Sequence, residues 1–336
     1  MTFNVENLFA RYRFRDLEQQ HLVSLFDAFD PEDRANLIRT HWNALHDEMR
    51  TFTALTVLEA DPDVICLQEV ENNQALRAFH DRYLLRLGGR ARAPWPYHAL
   101  IEGNDRRGIN VGVMSRYPID AMMTHQHVET MVPTPLGPRK ERVFRRDCLE
   151  VHLDCGDARL AVFVCHFKSM EGGRSATRAW RRLEAQAVRE IVTRRFAGLQ
   201  AEANWIVCGD LNDYTHEAGM PALDHGLGPL LDDGFAVDLL DRIPDPFEHW
   251  THFWADADRY SQIDHLLASP RLAAANPTAV PVVLRHGQPF RAARYQGPRW
   301  PRVGWDRPKA SDHCPVVVRL DSLGSGPPAP PLITAV

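Results

Sequence analysis

Apolar runs that end in polar groups set the pattern of this chain. Ile206-Val207-Cys208 leads straight into Gly209-Asp210-Leu211-Asn212, and Ser311-Asp312-His313 is followed closely by Pro315-Val316-Val317-Val318. Short β-branched runs bounded by turn residues predict buried central strands. Further strands are expected at the end of Thr2–Val5 and over Val64–Leu67, Asn110–Ser115, Cys148–Leu153, Leu160–Cys165, Ile263–Leu267 and Pro315–Leu320. Helical spacing fills the intervals. Residues 11–50 place Leu22, Leu25, Phe26 and Phe29, then Leu37, Ile38, Trp42 and Leu45, so two helices are expected about Asp30-Pro31. Phe52–Ala60 continues as helix until Asp61-Pro62 stops it. Residues 176–196 carry the longest amphipathic pattern, with Trp180, Leu183, Ala187, Val188, Ile191 and Val192 as the apolar side.

Alternating strands and helices make this an α/β chain. No Pro/Gly-rich linker interrupts it, so residues 1–322 are expected to be one domain. Residues 323–336 contain Gly-Ser-Gly-Pro-Pro-Ala-Pro-Pro and predict an extended or disordered tail. The N-terminus lacks a basic start and a long apolar stretch, and no run is long enough to span a bilayer. A soluble cytoplasmic protein, monomeric, is the expectation. The chain begins almost inside its first motif, which leaves room for an upstream leader in a longer reading frame.

Composition narrows the chemistry only a little. Hydrophobic residues make up 44% and charged residues 25% of the 336 positions, ordinary values for a globular protein. A net charge of −5 gives no whole-protein field drawing in nucleic acid. Only Lys140, Lys168 and Lys309 are lysines; arginine supplies the rest of the 39 basic residues. Arginine is the better fork for phosphate, but a GC-rich genome gives the same bias. The six cysteines form no C-x-x-C pair and most lie in strand-like runs, so buried free thiols are expected.

The acids carry more information. Glu69 follows one buried run and Asp210 another, while Asp264 and Asp312 lie within or beside two more. A carboxylate that close to apolar strands must be paired or metal-bound, because isolated burial is costly. Hard oxygen ligands of this kind suit Mg²⁺ or Mn²⁺. Any one of these acids reads equally well as a helix cap or a strand-end acceptor. Four in matching contexts, two with Asn or His nearby, favour function.

Ordered blocks along nearly the whole chain give a family resemblance. They are Thr2-Phe3-Asn4-Val5-Glu6-Asn7, Asp63-Val64-Ile65-Cys66-Leu67-Gln68-Glu69-Val70, and Asn110-Val111-Gly112-Val113-Met114-Ser115-Arg116-Tyr117-Pro118-Ile119. Cys165-His166-Phe167-Lys168-Ser169, Gly209-Asp210-Leu211-Asn212, Gln262-Ile263-Asp264-His265-Leu266-Leu267 and Ser311-Asp312-His313 follow in order. The chain resembles the endonuclease/exonuclease/phosphatase superfamily. That resemblance implies the DNase I-like fold, a four-layer α/β sandwich of two mixed sheets face to face with helices on both outer faces, the site at one end.

The resemblance also implies roles. Glu69 matches the principal metal ligand, Asn4 an amide supporting the metal or phosphate, and Asp312 a further acid near the metal. Asp210 matches the acid that orients or deprotonates water, and Asn212 an amide donor to phosphoryl oxygens. His313 matches the histidine beside the scissile phosphate, Asp264 the acid orienting its ring, and His166 the second histidine of some branches. Which of His313 and Asp210 is the base, and whether one or two ions act, stays open. Asn110, Lys168, Arg142 and Arg178 are candidate substrate contacts.

Other features have bland competitors. Arg139, Lys140, Arg142, Arg145 and Arg146 form the densest basic run and suggest a loop facing nucleic acid. Arg174, Arg178, Arg181 and Arg182 read more often as a solvated helix face. Trp250-Thr251-His252-Phe253-Trp254 offers a stacking surface for a base, or simply core. Two departures from the family pattern stand out: Gln262 replaces the usual Arg, and the stretch 11–49 is long. The leading expectation is an Mg²⁺-dependent endonuclease or phosphodiesterase acting on DNA or RNA. A phosphohydrolase of small or lipid-linked esters is the alternative, and a non-catalytic binding module comes last.

Overall fold

Along Trp205-Ile206-Val207-Cys208 every residue is buried, yet odd and even positions pack into different layers. A strand covered on both faces needs no polar alternation, and that is how the sandwich is built. The computed structural model describes residues 1–9, 43–89, 94–132, 137–217, 220–222 and 224–324. Most of the expected helical pair in 11–50, and the tail beyond 324, lie outside the described residues.

Among the described residues eighteen strands are formed. In chain order they are β1 (Thr2–Leu8), β2 (Val64–Val70), β3 (Tyr97–Leu100), β4 (Asn110–Ser115), β5 (Ile119–Thr124), β6 (Glu129–Val132), β7 (Arg139–Arg142), β8 (Cys148–Asp154), β9 (Arg159–His166) and β10 (Trp205–Asp210). Then come β11 (His216–Glu217), β12 (Met220–Pro221), β13 (Val237–Asp238), β14 (His252–Trp254), β15 (Arg259–Ser261), β16 (Asp264–Ala268), β17 (Val282–Val283) and β18 (Val316–Val317). One six-stranded sheet has the order β17-β18-β1-β2-β4-β3, the other β13-β16-β10-β9-β8-β5. Both are mixed: β1–β2 and β9–β10 are parallel, whereas β2–β4 and β10–β16 are antiparallel. Three two-stranded ribbons, β6–β7, β11–β12 and β14–β15, complete the set among the described residues.

Strand parity assigns the layers. Cys66, Val111 and Val113 of the first sheet meet Leu149, Val162, Val164, Ile206, Cys208 and Leu266 of the second in one shared core. Phe3, Ile65 and Leu67 face outward onto Phe52, Val57 and Leu58 of helix α1 (Asn43–Ala60) and onto Leu76 and Phe79 of α2 (Asn73–Phe79). On the far side Phe163, Trp205 and Val207 pack against Val188, Ile191 and Val192 of α3 (Arg174–Arg195). Helix, sheet, sheet, helix is the expected four-layer order.

Two local corrections follow, the first from buried charge. Leu183 of α3 is exposed, while Arg181 and Glu184 are fully buried. Arg181 reaches Asp213 at 3.0 Å, and Glu184 accepts the backbone N–H groups of Arg145 and Lys168 at 3.1 and 2.7 Å. Satisfied in this way, buried charges are tolerated, so α3 is turned by its polar anchors as well as its apolar stripe. The basic run is a loop only in part: Arg139–Arg142 is a ribbon strand, while Arg145 and Arg146 lie in the connection to β8. Five of the cysteines are buried and Cys155 is half-buried, all as free thiols. Among the described residues no helix is long and apolar enough to cross a membrane.

Candidate active site

At one end of the sandwich the inward-facing parity continues in polar residues. Asp210 ends β10 in phase with Ile206 and Cys208, and it lies level with His166 on β9 and Asp264 on β16. Asn4 on β1 is in phase with Thr2, paired to Gln68 of β2. Backbone register alone therefore lines up one row of chemistry across neighbouring strands. Gly209 lets β9 and β10 approach: a Cβ there would stand 1.9 Å from the Cys165 carbonyl oxygen, and φ is 136°.

Glu69 needs a different device, because strict alternation would send it to the outer face. Gln68 pairs with Val111 and Val70 with Asn110, so Glu69 is an extra residue in the ladder. Its φ of 66° is a left-handed value for a non-glycine residue. Glu6 and Asn7 share that region, at 47° and 64°. These strained positions converge: the Asn7 N–H donates to Glu69 Oε2 at 3.0 Å, and Asn4 Nδ2 donates to Glu69 Oε1 at 3.4 Å. Strain concentrated around one carboxylate is a mark of functional positioning.

Asn4 Nδ2 also donates to Asp210 Oδ2 at 3.0 Å, while its oxygen accepts the Glu6 N–H at 3.2 Å. Its amide thus holds two carboxylates in place. Asp210 Oδ2 lies 3.4 Å from His166 Nε2 and 3.8 Å from His313 Nε2, and Oδ1 accepts the Asn212 N–H at 3.0 Å. Asn212 Nδ2 donates to the Phe167 carbonyl at 3.2 Å. His313 Nδ1 is 2.8 Å from Asp264 Oδ2, which fixes the ring and leaves Nε2 toward Asp210 and Asp312, the latter at 3.9 Å. Thr251 Oγ1 accepts the backbone N–H groups of Ile263 and Asp264, anchoring that acid in turn.

The electrostatics are those of crowded acids. Burial pushes the Asp210 carboxyl up to about 7, with Asp264 and Glu69 adding and His313 and Asn4 opposing. Burial, then repulsion from Asp312, likewise raises Glu69. Burial works against a charge on His313, but Asp264, Asp210 and Asp312 lift it well above the ordinary histidine value. His166 is driven well below it by burial and by Arg146. Asp312 is opposed by burial yet held down to about 2 by His313, Lys309 and His252. Two histidines of opposite tendency flank Asp210, one favouring the cation and one the neutral ring.

This donor set fits a divalent cation. Asp312 raises the cost of ionising Glu69, Glu69 and Asp264 raise that of Asp210, and the buried Asp264 Oδ1 has no partner among the described residues. Hard carboxylate oxygens are what Mg²⁺ or Mn²⁺ takes.

Not every expected residue joins the cluster. Both ends of the Asn110 amide brace backbone, accepting from Gly103 N–H at 2.7 Å and donating to the Glu71 carbonyl at 2.6 Å. Lys168 Nζ donates to the carbonyl and hydroxyl of its neighbour Ser169. Arg142 is held by Asn104 and Arg178 by Asp224. Within the basic run Lys140 pairs with Glu129, Arg139 and Arg145 with Glu141, and Arg146 with Asp105. Trp250 and Phe253 are core, whereas Trp254 is 52% exposed.

Sequence reasoning missed several neighbours. The His252 ring lies tilted against that of His313, 4.7 Å between centroids, and burial and that ring pull it down to about 4. Glu6, in the first block, joins Arg307 and Lys309 at 2.6 and 3.3 Å. Arg146 is buried and donates to the Phe167 carbonyl at 2.7 Å, beside Asn212. The signal for it was present in the basic run, but read as an exposed charge. Gln262 fills the place of the usual Arg by donating to Asp238 Oδ2 at 3.1 Å.

Comparisons with known proteins bear on the fold and the family. Among curated proteins no match is found. Truncated TDP2 from Caenorhabditis elegans superposes with a TM-score of 0.50 at 13% identity, over 80% of this chain and 88% of that one. Sphingomyelinase C from Streptomyces griseocarneus gives 0.50 at 18% identity, over 80% and 91%. At such identities the likeness is one of fold. The model of the Endonuclease/Exonuclease/phosphatase family matches residues 1–313. The chain therefore belongs to that family, whose enzymes hydrolyse phosphoesters and generally depend on a divalent metal.

Proposed function

We propose that this protein is an Mg²⁺- or Mn²⁺-dependent phosphodiesterase that cleaves DNA or RNA by in-line attack of water. The observation that carries the reading is the Asp264–His313 pair set against Asp210, with a 2.8 Å hydrogen bond on one side of the ring and 3.8 Å on the other. Glu69, with Asp312 beside it, would hold the cation, which when bound supplies charge neutralisation at the phosphate. Asn4 positions Glu69 and Asp210. Asp210 orients the attacking water and accepts its proton. His313, kept protonated by three acids, donates to the phosphoryl oxygens, and Asn212 and His166 add donors where charge grows. Residues 1–322 would act as one catalytic unit.

Trp254 supports a base-bearing substrate. Its exposed ring lies on the same ribbon strand as His252, which touches His313, so it offers a stacking face near the reacting centre. The neutralised basic run favours a second reading, a small or lipid-linked phosphodiester, because polynucleotide affinity depends on free cationic surface. Nicking of supercoiled plasmid is therefore compared with cleavage of RNA, bis(p-nitrophenyl) phosphate and sphingomyelin vesicles, in Mg²⁺ or EDTA. Metal-dependent cleavage that is fastest on polynucleotide is expected. Turnover of vesicles with no nicking would move the substrate to lipid, and folded protein inactive on all four would overturn the hydrolase reading.

A further inference from the structure

We propose that His216, Asp241 and His249 form a second cation site, for a zinc-like divalent ion, separate from the catalytic cluster. One ligating atom from each residue lies within 4.8 Å of the others. They come from three segments: β11, the turn Leu239–Arg242, and the residue closing the turn Pro246–Glu248. None belongs to the groups assembled around Asp210.

His249 makes this more than a chance meeting of polar side chains. It is 5% exposed, and its Nε2 is 2.9 Å from the Ile243 carbonyl, a contact that requires the proton on Nε2. Nδ1 is then the lone-pair nitrogen. That atom is buried and has no hydrogen-bond partner among the described residues. A metal-binding histidine commonly has its second nitrogen anchored to a carbonyl in this way. An unpartnered buried acceptor is otherwise a cost to the fold. The His216 ring stands edge-on to His249, 6.0 Å between centroids, and His216 Nδ1 is 3.8 Å from Asp241 Oδ1.

Two imidazoles and one carboxylate suit zinc better than magnesium, which prefers oxygen alone. Tetrahedral bonds of about 2.0–2.1 Å place ligand atoms roughly 3.4 Å apart. The half-buried His216 and exposed Asp241 must therefore close by about an ångström, with water as fourth ligand. An ion there would tie the segment leaving Asp213 to the turn after Asp238. Asp213 and Asp238 already meet through His265, whose ring bonds the carbonyl of one and the carboxylate of the other. The site would be a structural clamp on the segment that follows Asp210 and Asn212.

Metal-stripped full-length protein is titrated calorimetrically with Zn²⁺ in excess Mg²⁺, and Co²⁺ is used as a spectroscopic probe. One Zn²⁺ per chain is expected, with a four-coordinate Co²⁺ visible spectrum and a rise in Tm of about 3 °C or more. Glu69→Gln should retain that zinc. His216→Asn and Asp241→Asn, at partly exposed positions, should weaken it about 100-fold or more while Mg²⁺-supported hydrolysis stays unchanged. Zinc binding that is absent from the wild type, lost in Glu69→Gln, or undiminished in both other variants would overturn the proposal.

Discussion

Glu69 shows how much single residues decide here. It reaches the cluster only because an extra residue breaks strand alternation and accepts a left-handed φ. Its identity as a site residue was legible in the second sequence block; the bulge that delivers it was not, because alternation alone points the side chain outward. Arg142 and Arg178 show the reverse case. Their partners Asn104 and Asp224 are set by tertiary contact, so a chain read by local charge leaves them free. Gly209 gives a test at this scale. Gly209→Ala would push a methyl into the Cys165 carbonyl, and a loss of about 2–4 kcal/mol in urea unfolding is expected. Wild-type stability in that variant would mean the two strands do not pack as closely as described.

At the scale of elements, strands buried on both faces were the easiest to read. Asn110–Ser115 forms as expected, and Cys148–Leu153 and Leu160–Cys165 grow by only one or two residues. β3, β5 and β6 were missed because they are only partly buried, with little apolar pattern to find. The Phe52–Ala60 helix proved to be the C-terminal half of α1. Pairing of β13 with β16 brings Asp238 beside His265, 2.7 Å apart and fully buried. Burial opposes the charge, but Asp238 and the Asp213 carbonyl raise His265 to about 9. Its folded value thus lies above the unfolded one, near 6.5. The stabilisation is fully present below about pH 6.5 and is lost as pH rises through about 9. Relative to His265→Gln, the wild type should be more stable by up to about 3 kcal/mol at pH 6, with the gap shrinking by pH 10. A gap independent of pH would contradict the buried ion pair.

Across the whole molecule, the layered order was legible because each predicted strand carried its own apolar run, and the row His166–Asp210–Asp264 follows once β9, β10 and β16 are neighbours. Substrate class was less legible, since fold does not fix substrate and an overall charge of −5 is a weak guide. What the two sheets do jointly is bring Asn4 and Glu69 from one and His166, Asp210 and Asp264 from the other to a single sandwich end, where His313 closes the set. The central claim is that Asp264 and His313 work as one catalytic unit there.

The most direct test is a double-mutant cycle on bis(p-nitrophenyl) phosphate in saturating Mg²⁺, comparing wild type, Asp264→Asn, His313→Ala and the double variant, each checked for folding by circular dichroism. The expected result is a fall in kcat of about 10²–10⁴ for each single variant, with the double variant no slower than His313→Ala alone. Single variants within twofold of wild type, or losses that simply multiply, would contradict the claim.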